Sequence, residues 1–472
     1  MYGIALSRLR FVKFRYNTVK FILNRVINLL NKSWAKLNSQ SLIRDIITTT
    51  GWGVIGKAFG FLIPFFIAAW FGVSGETDAF FFVYGLILFI SGIFAPVVET
   101  IIVPYIAEAR KKGDDVGIFV GKIFSFSTVG LVILLIVLLF LIKPVLTLIT
   151  RFDSQTLGMI YNLIFETIPL VILIVWSSIL GGILNAYKKF IFPVVSPAFR
   201  AIINLSIIFL FKDKLGVHAI ALGYVIGEIG RLAILAGVIK KLKLFKLILS
   251  FSPDPKIMEF LKTSSYQVIG LVAIGINPIV DKAMGSWLGE GSVSILYYAD
   301  RLYIIPVSFM IIGLFPVVLS HWSDDYYQGK SGVRLFQRAK TAARLVLGIS
   351  IIVVVILFIL RKLLIRLAFG RGEFDPLYLQ AIQWPFVFYL FGLIPYVVGS
   401  MFTRAHLVLK NTPLLMRLCF LNVVLNIVLN YVLMRRLGIA GIALSTTITV
   451  TIITVLLFYY LGKKIREGNN SV

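Results

Sequence analysis

The chain contains two copies of a pattern of about six apolar segments, spaced about 217 residues apart. Gly72 follows the letters AAWF and Gly289 follows GSWL, so these glycines are 217 positions apart (289 − 72 = 217). Three further pairs have a similar spacing: Gly182 with Gly399, Pro197 with Pro413, and Lys214 of KLGVHAIALG with Arg436 of RLGIAGIALS. A six-helix unit duplicated in one orientation produces two lobes around an axis along the membrane normal, and such lobes rock about a central site.

The composition is typical of a protein that crosses a membrane many times. The mean hydropathy is +0.94, 59% of the residues are hydrophobic and only 14% are charged. Segments long enough to cross a hydrocarbon core of ~30 Å are predicted at 48–71, 77–105, 117–142, 157–186, 190–211, 215–239, 260–288, 292–320, 338–366, 376–403, 411–434 and 438–462. We therefore predict an all-α polytopic fold with about twelve transmembrane helices, in two six-helix lobes around a central cavity.

The basic residues predict how the chain is oriented in its membrane. The net charge is +26, and with the N-terminus inside most of the loop Lys and Arg residues fall on the cytoplasmic side. The positive-inside rule then places both termini in the cytoplasm. This distribution explains the charge by contact with membrane lipids, without nucleic acid as a partner.

The predicted divisions of the chain follow from the spans. Residues 1–47 interleave basic and apolar side chains, which is typical of an amphipathic arm on an anionic membrane surface. Residues 48–246 are predicted as the N-lobe, 247–259 as a cytoplasmic linker, 260–463 as the C-lobe and 464–472 as a cytoplasmic tail.

Ionisable residues inside the predicted spans are the candidates for function, because burying them costs several kcal/mol unless they are paired or hydrated. Four cations are predicted to line a cavity for an anionic head group: Lys57, Arg200, Lys282 and Arg301. Five acids are predicted as gating or charge-partner groups: Asp78, Asp281, Asp300, Glu99 and Glu166. The alternative is ion pairing within the membrane, with Asp281 or Asp300 neutralising Lys282 or Arg301, and Glu228 pairing with Arg231.

Motifs of soluble catalysis are absent from the sequence. It contains no Walker A segment, HExxH, CxxC or GxSxG. Cys419 is the only cysteine and lies in an apolar span, which excludes an internal disulfide and a cysteine metal cluster. We therefore predict a transporter without a cofactor or a metal site, acting as a monomer and driven by a coupled cation or the membrane potential.

Several ordered segments resemble the lipid II flippase (MurJ) family of the multidrug/oligosaccharidyl-lipid/polysaccharide exporter superfamily. They are FGVSGETDAFF from Phe71, GGILNAYKKFIFPVVSPAFRAIINLSII from Gly181, GSVSILYYADRLYIIP from Gly291, FGRGEFD from Phe369 and FTRAHLVLKNTP from Phe402. The resemblance implies that Arg301 is the family's essential arginine, that Asp78 is its conserved acid, and that Lys57 replaces a first-span arginine. It also implies fourteen spans, the last two forming a groove for the lipid tail, whereas about twelve are predicted here.

The resemblance implies a flippase that moves a polyprenyl-diphosphate-linked saccharide across the inner membrane by alternating access. Lipid II or a related envelope precursor is the expected substrate, with Arg301 and Lys57 on the diphosphate and Lys282 or Arg200 beside them. The alternatives are a flippase for an O-antigen or exopolysaccharide repeat unit, a cation-coupled drug antiporter and a membrane glycosyltransferase.

Overall fold

The structure, a computed structural model, describes residues 58–112, 115–245, 247–327 and 332–469. The predicted arm at 1–47 and the candidate residue Lys57 lie outside the described residues. Within them the chain is helical, with no β-strand. The helices are α1 (Ala58–Phe71), α2 (Gly75–Lys112), α3 (Val116–Ile149), α4 (Ser154–Ala186), α5 (Ile191–Leu215), α6 (His218–Lys241), α7 (Pro255–Gly275), α8 (Asn277–Gly285), α9 (Ser292–Tyr327), α10 (Gly332–Phe369), α11 (Pro376–Val408), α12 (Thr412–Leu437) and α13 (Ile439–Asn469).

The described helices have the length and hydropathy of membrane spans. Nine of them are long and apolar enough to cross a bilayer: α2 to α6 and α10 to α13. Many large apolar side chains on them are exposed, for example Phe140 on α3, which is 80% exposed. An apolar surface of this kind suits contact with hydrocarbon. The predicted all-α polytopic class is confirmed.

Aspartates begin several of the helices. Asp115 accepts the backbone N–H groups of Gly117 and Ile118 at the start of α3, and Asp153 accepts those of Gln155 and Thr156 at the start of α4. Asp254 and Asp375 occupy the same position before α7 and α11. Because the first N–H groups of a helix have no partner within it, a carboxylate at the N-cap satisfies them.

The two halves end equivalent helices in the same way, which locates the repeat. Gly216 after α5 has φ 54° and ψ −137°, and Gly438 after α12 has φ 57° and ψ −136°. Lys188 after α4 and Lys410 after α11 both have positive φ, at 58° and 51°. Each of these two pairs is separated by 222 positions (438 − 216 = 222).

This spacing corrects two of the predicted pairs. Helices α4 to α6 match α11 to α13 at a spacing of 222, so the pairing of Gly182 with Gly399 and of Pro197 with Pro413 is wrong. The spacing increases because α10 has 38 residues where its counterpart α3 has 34, and because the connection that follows has six residues (370–375) where its counterpart has four (150–153). The pairing of Gly72 with Gly289 agrees with the structure, since α2 and α9 begin 217 residues apart, and so does that of Lys214 with Arg436, since α5 and α12 end 222 residues apart.

Three helix pairs pack extensively in both halves. In the first half (α1–α6) α2 lies along α4, α4 along α6, and α5 along α6. In the second half (α7–α13) the counterparts do the same: α9 lies along α11, α11 along α13, and α12 along α13. Close approach of α5 and α6 depends on Gly223 and Gly227, where a Cβ atom would meet Asn204 and Arg200.

The predicted span at 260–288 is not one continuous helix. It is divided at Ile276 into α7 and α8 and ends in a 3₁₀ turn, Ser286–Leu288. Pro278 lies in the first turn of α8 and has no N–H to continue the hydrogen bonding of α7. The break directs Asp281 and Lys282 on α8 toward the centre of the molecule. Helix α7 itself begins at Pro255, within the predicted linker segment.

Candidate functional site

A cavity of about 450 Å³ lies between the two halves. Its walls come from α2 of the first half and from α7, α8 and α9 of the second, with Tyr389 of α11 and Thr446 of α13. The ionisable lining residues are Asp281, Lys282, Asp300 and Arg301. The structure therefore brings four of the predicted residues to one site. The lining carries equal numbers of bases and acids.

Arg301 presents its guanidinium to this cavity. Its terminal nitrogen lies 3.3 Å from Asp300 Oδ2, and its guanidinium carbon lies 4.7 Å from the centre of the Tyr297 ring. Among the described residues, its buried Nε atom has no hydrogen-bond partner. An arginine fork has five N–H donors in a plane and matches the oxygens of a phosphate. Arg301 therefore retains donor capacity for a ligand.

Lys282 is the second cation of the cavity, and it links the halves. Its ammonium donates to the backbone oxygen of Phe81 on α2 at 2.8 Å and lies 5.3 Å from the centre of the Tyr297 ring. The Tyr297 ring also stacks on Phe81, with 3.9 Å between the ring centres. Tyr297 thus holds both cations near one aromatic ring, where cation–π attraction stabilises them.

The two cavity acids have different partners. Asp300 pairs with Arg301, as the ion-pair alternative predicts. Asp281 instead accepts hydrogen bonds from three neutral groups, the side chains of Asn426 (3.1 Å), Asn430 (2.7 Å) and Thr446 (3.2 Å). Neutral donors stabilise a buried carboxylate without cancelling its charge. Among the described residues, no three His, Cys, Asp or Glu side chains come together as a metal site would need.

Asp78 joins the halves at one end of the cavity. Its carboxylate, 1% exposed, accepts the backbone N–H groups of Gly291 and Ser294 at 2.7 Å each. Ser294 lies in the first turn of α9 and Gly291 immediately precedes the helix, so Asp78 acts as an N-cap supplied by the other half of the chain. The hydroxyl of Ser294 donates to Thr77 at 2.9 Å, and the hydroxyl of Tyr298 donates to the backbone oxygen of Gly72.

We call this contact between residues 72–81 and 290–298 the seam. Thr77 and Ser294 are 217 positions apart and bond to each other, and Phe81 and Tyr298, also 217 apart, make a ring contact with 5.1 Å between centres. Equivalent residues can meet in this way only at the axis that relates the two copies. The seam therefore closes the molecule along its axis of internal symmetry.

Besides Asp78 at the seam, three further candidates do not line the cavity. Arg200 pairs with Glu228 at 3.1 Å, and Glu228 also pairs with Arg231 at 3.1 Å, as predicted for this (i, i+3) pair. Glu99 accepts a hydrogen bond from Asn185 at 3.3 Å. Glu166 lies 2.7 Å from the His218 ring and is half-exposed. Arg200, Glu99 and Glu166 are thus held in contacts within the first half.

Sequence reasoning missed several residues of the site. Tyr297 was not singled out, although it adjoins the ADRL segment that contains Arg301. Asn426 and Asn430 have the spacing of neighbours on one helix face, and two amides four residues apart in an apolar span indicate a polar partner. Thr77 and Ser294 could have been found from the 217-residue spacing, which pairs two hydroxyl residues.

Comparison with known proteins gives one consistent result. The sequence profile of the lipid II flippase MurJ family matches residues 67–471. A probable lipid II flippase MurJ of Buchnera aphidicola subsp. Acyrthosiphon pisum is 26% identical over 424 residues, covering 87% of this chain and 81% of the relative. The corresponding protein of Aquifex aeolicus is 26% identical over 419 residues, covering 87% of this chain and 82% of the relative.

Solved structures share the fold. A lipid II flippase MurJ in an inward closed conformation matches with a TM-score of 0.74 and 24% identity, covering 89% of this chain and 87% of the other. A multidrug resistance MATE-family transporter of the MOP superfamily, in an inward-facing conformation, matches with a TM-score of 0.73 and 14% identity, covering 89% of this chain and 98% of the other. The profile match extends over most of the chain, which confirms the family predicted from the motifs. It also confirms the prediction that the chain is a transporter and not an enzyme. This chain belongs to the lipid II flippase MurJ family.

Proposed function

We propose that Arg301 and Lys282 bind the diphosphate of a polyprenyl-linked saccharide, and that the halves alternate around it. Family membership makes the chain a multi-pass flippase of the bacterial inner membrane with a lipid-linked saccharide as substrate. The observation that carries the assignment of the head group is the pair of cations in a cavity between the halves, beside a seam that joins them. The forked guanidinium of Arg301 and the compact ammonium of Lys282 together suit the two phosphates of a diphosphate.

Alternation needs a ligand that favours one arrangement over the other. Lys282 is engaged with the backbone of α2 in the present arrangement, and Asp300 is engaged with Arg301. A diphosphate that takes these donors competes with both contacts, so its affinity differs between states that keep the contacts and states that lose them. Such a difference in affinity is what shifts a conformational equilibrium. Asp78 serves as the group that holds the seam closed.

Two finer features belong to the same proposal. Both termini are cytoplasmic, which the excess of basic residues in one set of connections supports. A single copy of the chain is sufficient, because both halves that form the cavity come from one polypeptide. Lys57 and Arg200 are proposed to add positive charge near the head group. Arg200 does so from outside the cavity lining, where it pairs with Glu228.

The test is replacement of Arg301 by Ala in a strain depleted of its own flippase. We expect the variant to reach the membrane at normal levels, to fail in complementation and to let the lipid-linked precursor accumulate in the inner leaflet. Arg435→Ala is the matched control, because Arg435 also lies over a tyrosine ring, at 4.1 Å from Tyr431, but outside the cavity. Full activity of Arg301→Ala would refute the assignment of the head group. The identity of the accumulated precursor names the saccharide.

A further inference from the structure

A second cleft adjoins the cation-lined cavity, and it is wholly apolar. It has a volume of about 440 Å³ and lies between α2, α3, α4 and α7. Every side chain that lines it is Val, Leu, Ile or Phe. On α3 the lining includes Leu134, Leu138 and Ile142, and on α7 it includes Val268 and Val272. Only hydrocarbon fits such a lining, because a polar group there would lose its hydrogen bonds.

The cleft and the cavity share part of their walls. Phe89 and Ile93 of α2 and Ile279 of α8 line both spaces. These three residues form the boundary between them, and Lys282 lies one turn along α8 from Ile279. A molecule with an anionic head at Lys282 and Arg301 can therefore extend a hydrocarbon chain past these three residues into the cleft.

The cleft exists because the two halves differ at this point. In the second half α10 packs along α11, with Phe358 and Phe391 stacked at 6.0 Å between centres. Its counterpart α3 makes few contacts with α4. The duplicated fold can thus fill this space, as the second half does, and the first half leaves it open. Since protein interiors are close-packed, an apolar space of this size is filled by another apolar group.

We propose that this cleft holds the hydrocarbon chain of the lipid whose diphosphate is bound at Arg301 and Lys282. The inference rests on the proposed function, and it assigns the tail a place formed by α2, α3 and α7. The cations next to the cleft select an anionic lipid over a neutral one. Head and tail are then held by one continuous surface, and the tail is retained there only while the head is bound.

The experiment is photo-crosslinking of radiolabelled undecaprenyl diphosphate to a benzophenone amino acid in the full chain, purified in nanodiscs. The reporter replaces Leu138, which faces the cleft, or Leu141, which is 52% exposed on the same helix and serves as the matched control. We expect an adduct at position 138 that falls by about tenfold with Arg301→Ala, because charged hydrogen bonds are lost. The adduct at 141 should be unchanged, since it reports bulk lipid.

Excess inorganic diphosphate provides a second arm that needs no change at Arg301. It should compete for the head site and lower the adduct at 138 but not at 141. An adduct at 138 that is insensitive to both treatments means that bulk lipid fills the cleft, and this result would overturn the inference.

Binding of geranyl diphosphate, followed by thermal stabilisation, tests the head site separately. If Arg301→Ala abolishes that stabilisation but the adduct at 138 persists, the inference about the tail fails and the proposed function stands. If wild-type protein is not stabilised, or Arg301→Ala is stabilised equally, the proposed function fails as well.

Discussion

Replacing Asp78 by Asn is expected to weaken the seam and populate a state that is open at that end. The carboxylate accepts two backbone N–H groups at 2.7 Å and is 1% exposed. Asparagine keeps one acceptor but turns an N–H₂ group toward the second backbone donor. It also removes the negative charge that stabilises the N-terminus of α9. Hydrogen bonds to charged groups contribute ~1.5–3 kcal/mol, so we expect a cost of about 3 kcal/mol. That cost shifts the equilibrium between closed and open seam by about 100-fold.

The assay is labelling of a single cysteine in the cavity from the seam side of the membrane. Cys419 is the only natural cysteine, so a Cys419→Ser background leaves one reporter, Gly92→Cys. Gly92 lines the cavity and has no atom within 4 Å of a Cβ placed on it, so the reporter fits without disturbing its neighbours. A membrane-impermeant maleimide should label it slowly in the parent and much faster with Asp78→Asn.

Asp153→Asn is the matched control for this experiment. Asp153 also accepts two backbone N–H groups, at 2.9 Å each, but it caps α4 within its own half. The Asp153→Asn variant should reduce stability slightly and leave the labelling rate of the cavity cysteine unchanged. If Asp78→Asn folds and its labelling rate equals that of Asp153→Asn, the seam does not control access to the cavity, and the role given to Asp78 is refuted.

Three further predictions concern the cavity, the first-half ion cluster and the orientation. Gly92→Leu should fill the cavity and abolish transport with little change in melting temperature. Gly227→Leu should instead destabilise the protein by ~1–3 kcal/mol or more in a thermal unfolding assay, because its Cβ would lie 2.8 Å from the Arg200 backbone oxygen. Glu228→Gln should lower stability by about 3 kcal/mol in the same assay, because it leaves two partly buried guanidinium groups without their anionic partner; an unchanged melting temperature would contradict this. A fluorescent protein fused to the C-terminus should fold and fluoresce, and an alkaline phosphatase fused there should be inactive; the reverse pattern would invert the proposed topology.

The sequence was sufficient to predict the large features, since these depend on properties that single residues carry. Apolar length predicts a span wherever it occurs, and repeated glycines at positive φ, such as Gly72 and Gly289, mark equivalent turns in the two halves. Charge inside a span is costly, so Lys282 and Arg301 could be recognised as cavity residues, and Asp281 as a gating or charge-partner group, without knowledge of their neighbours.

The finer features depend on distances between helices, which a single sequence does not contain. Arg200 and Arg301 look alike as arginines within apolar segments, yet one faces Glu228 and the other faces a cavity. Which of these occurs is decided by the rotation of each helix against its neighbours. The change of repeat spacing from 217 to 222 likewise depends on where α10 and the connection after it end, which the spacing of single residue pairs does not show.

The repeat also explains why the seam is symmetric and the binding chemistry is not. Equivalent residues meet at the seam, but at a spacing of 217 the counterpart of Arg301 is Tyr84, which packs against Tyr224 with 4.4 Å between ring centres. Both cavity cations therefore come from the second half, and the first half contributes the apolar wall and the carbonyl of Phe81. A head group bound by Arg301 and Lys282 would then remain with the second half throughout the cycle. The first half would move relative to this complex, and each opening would break the contact between Lys282 and α2.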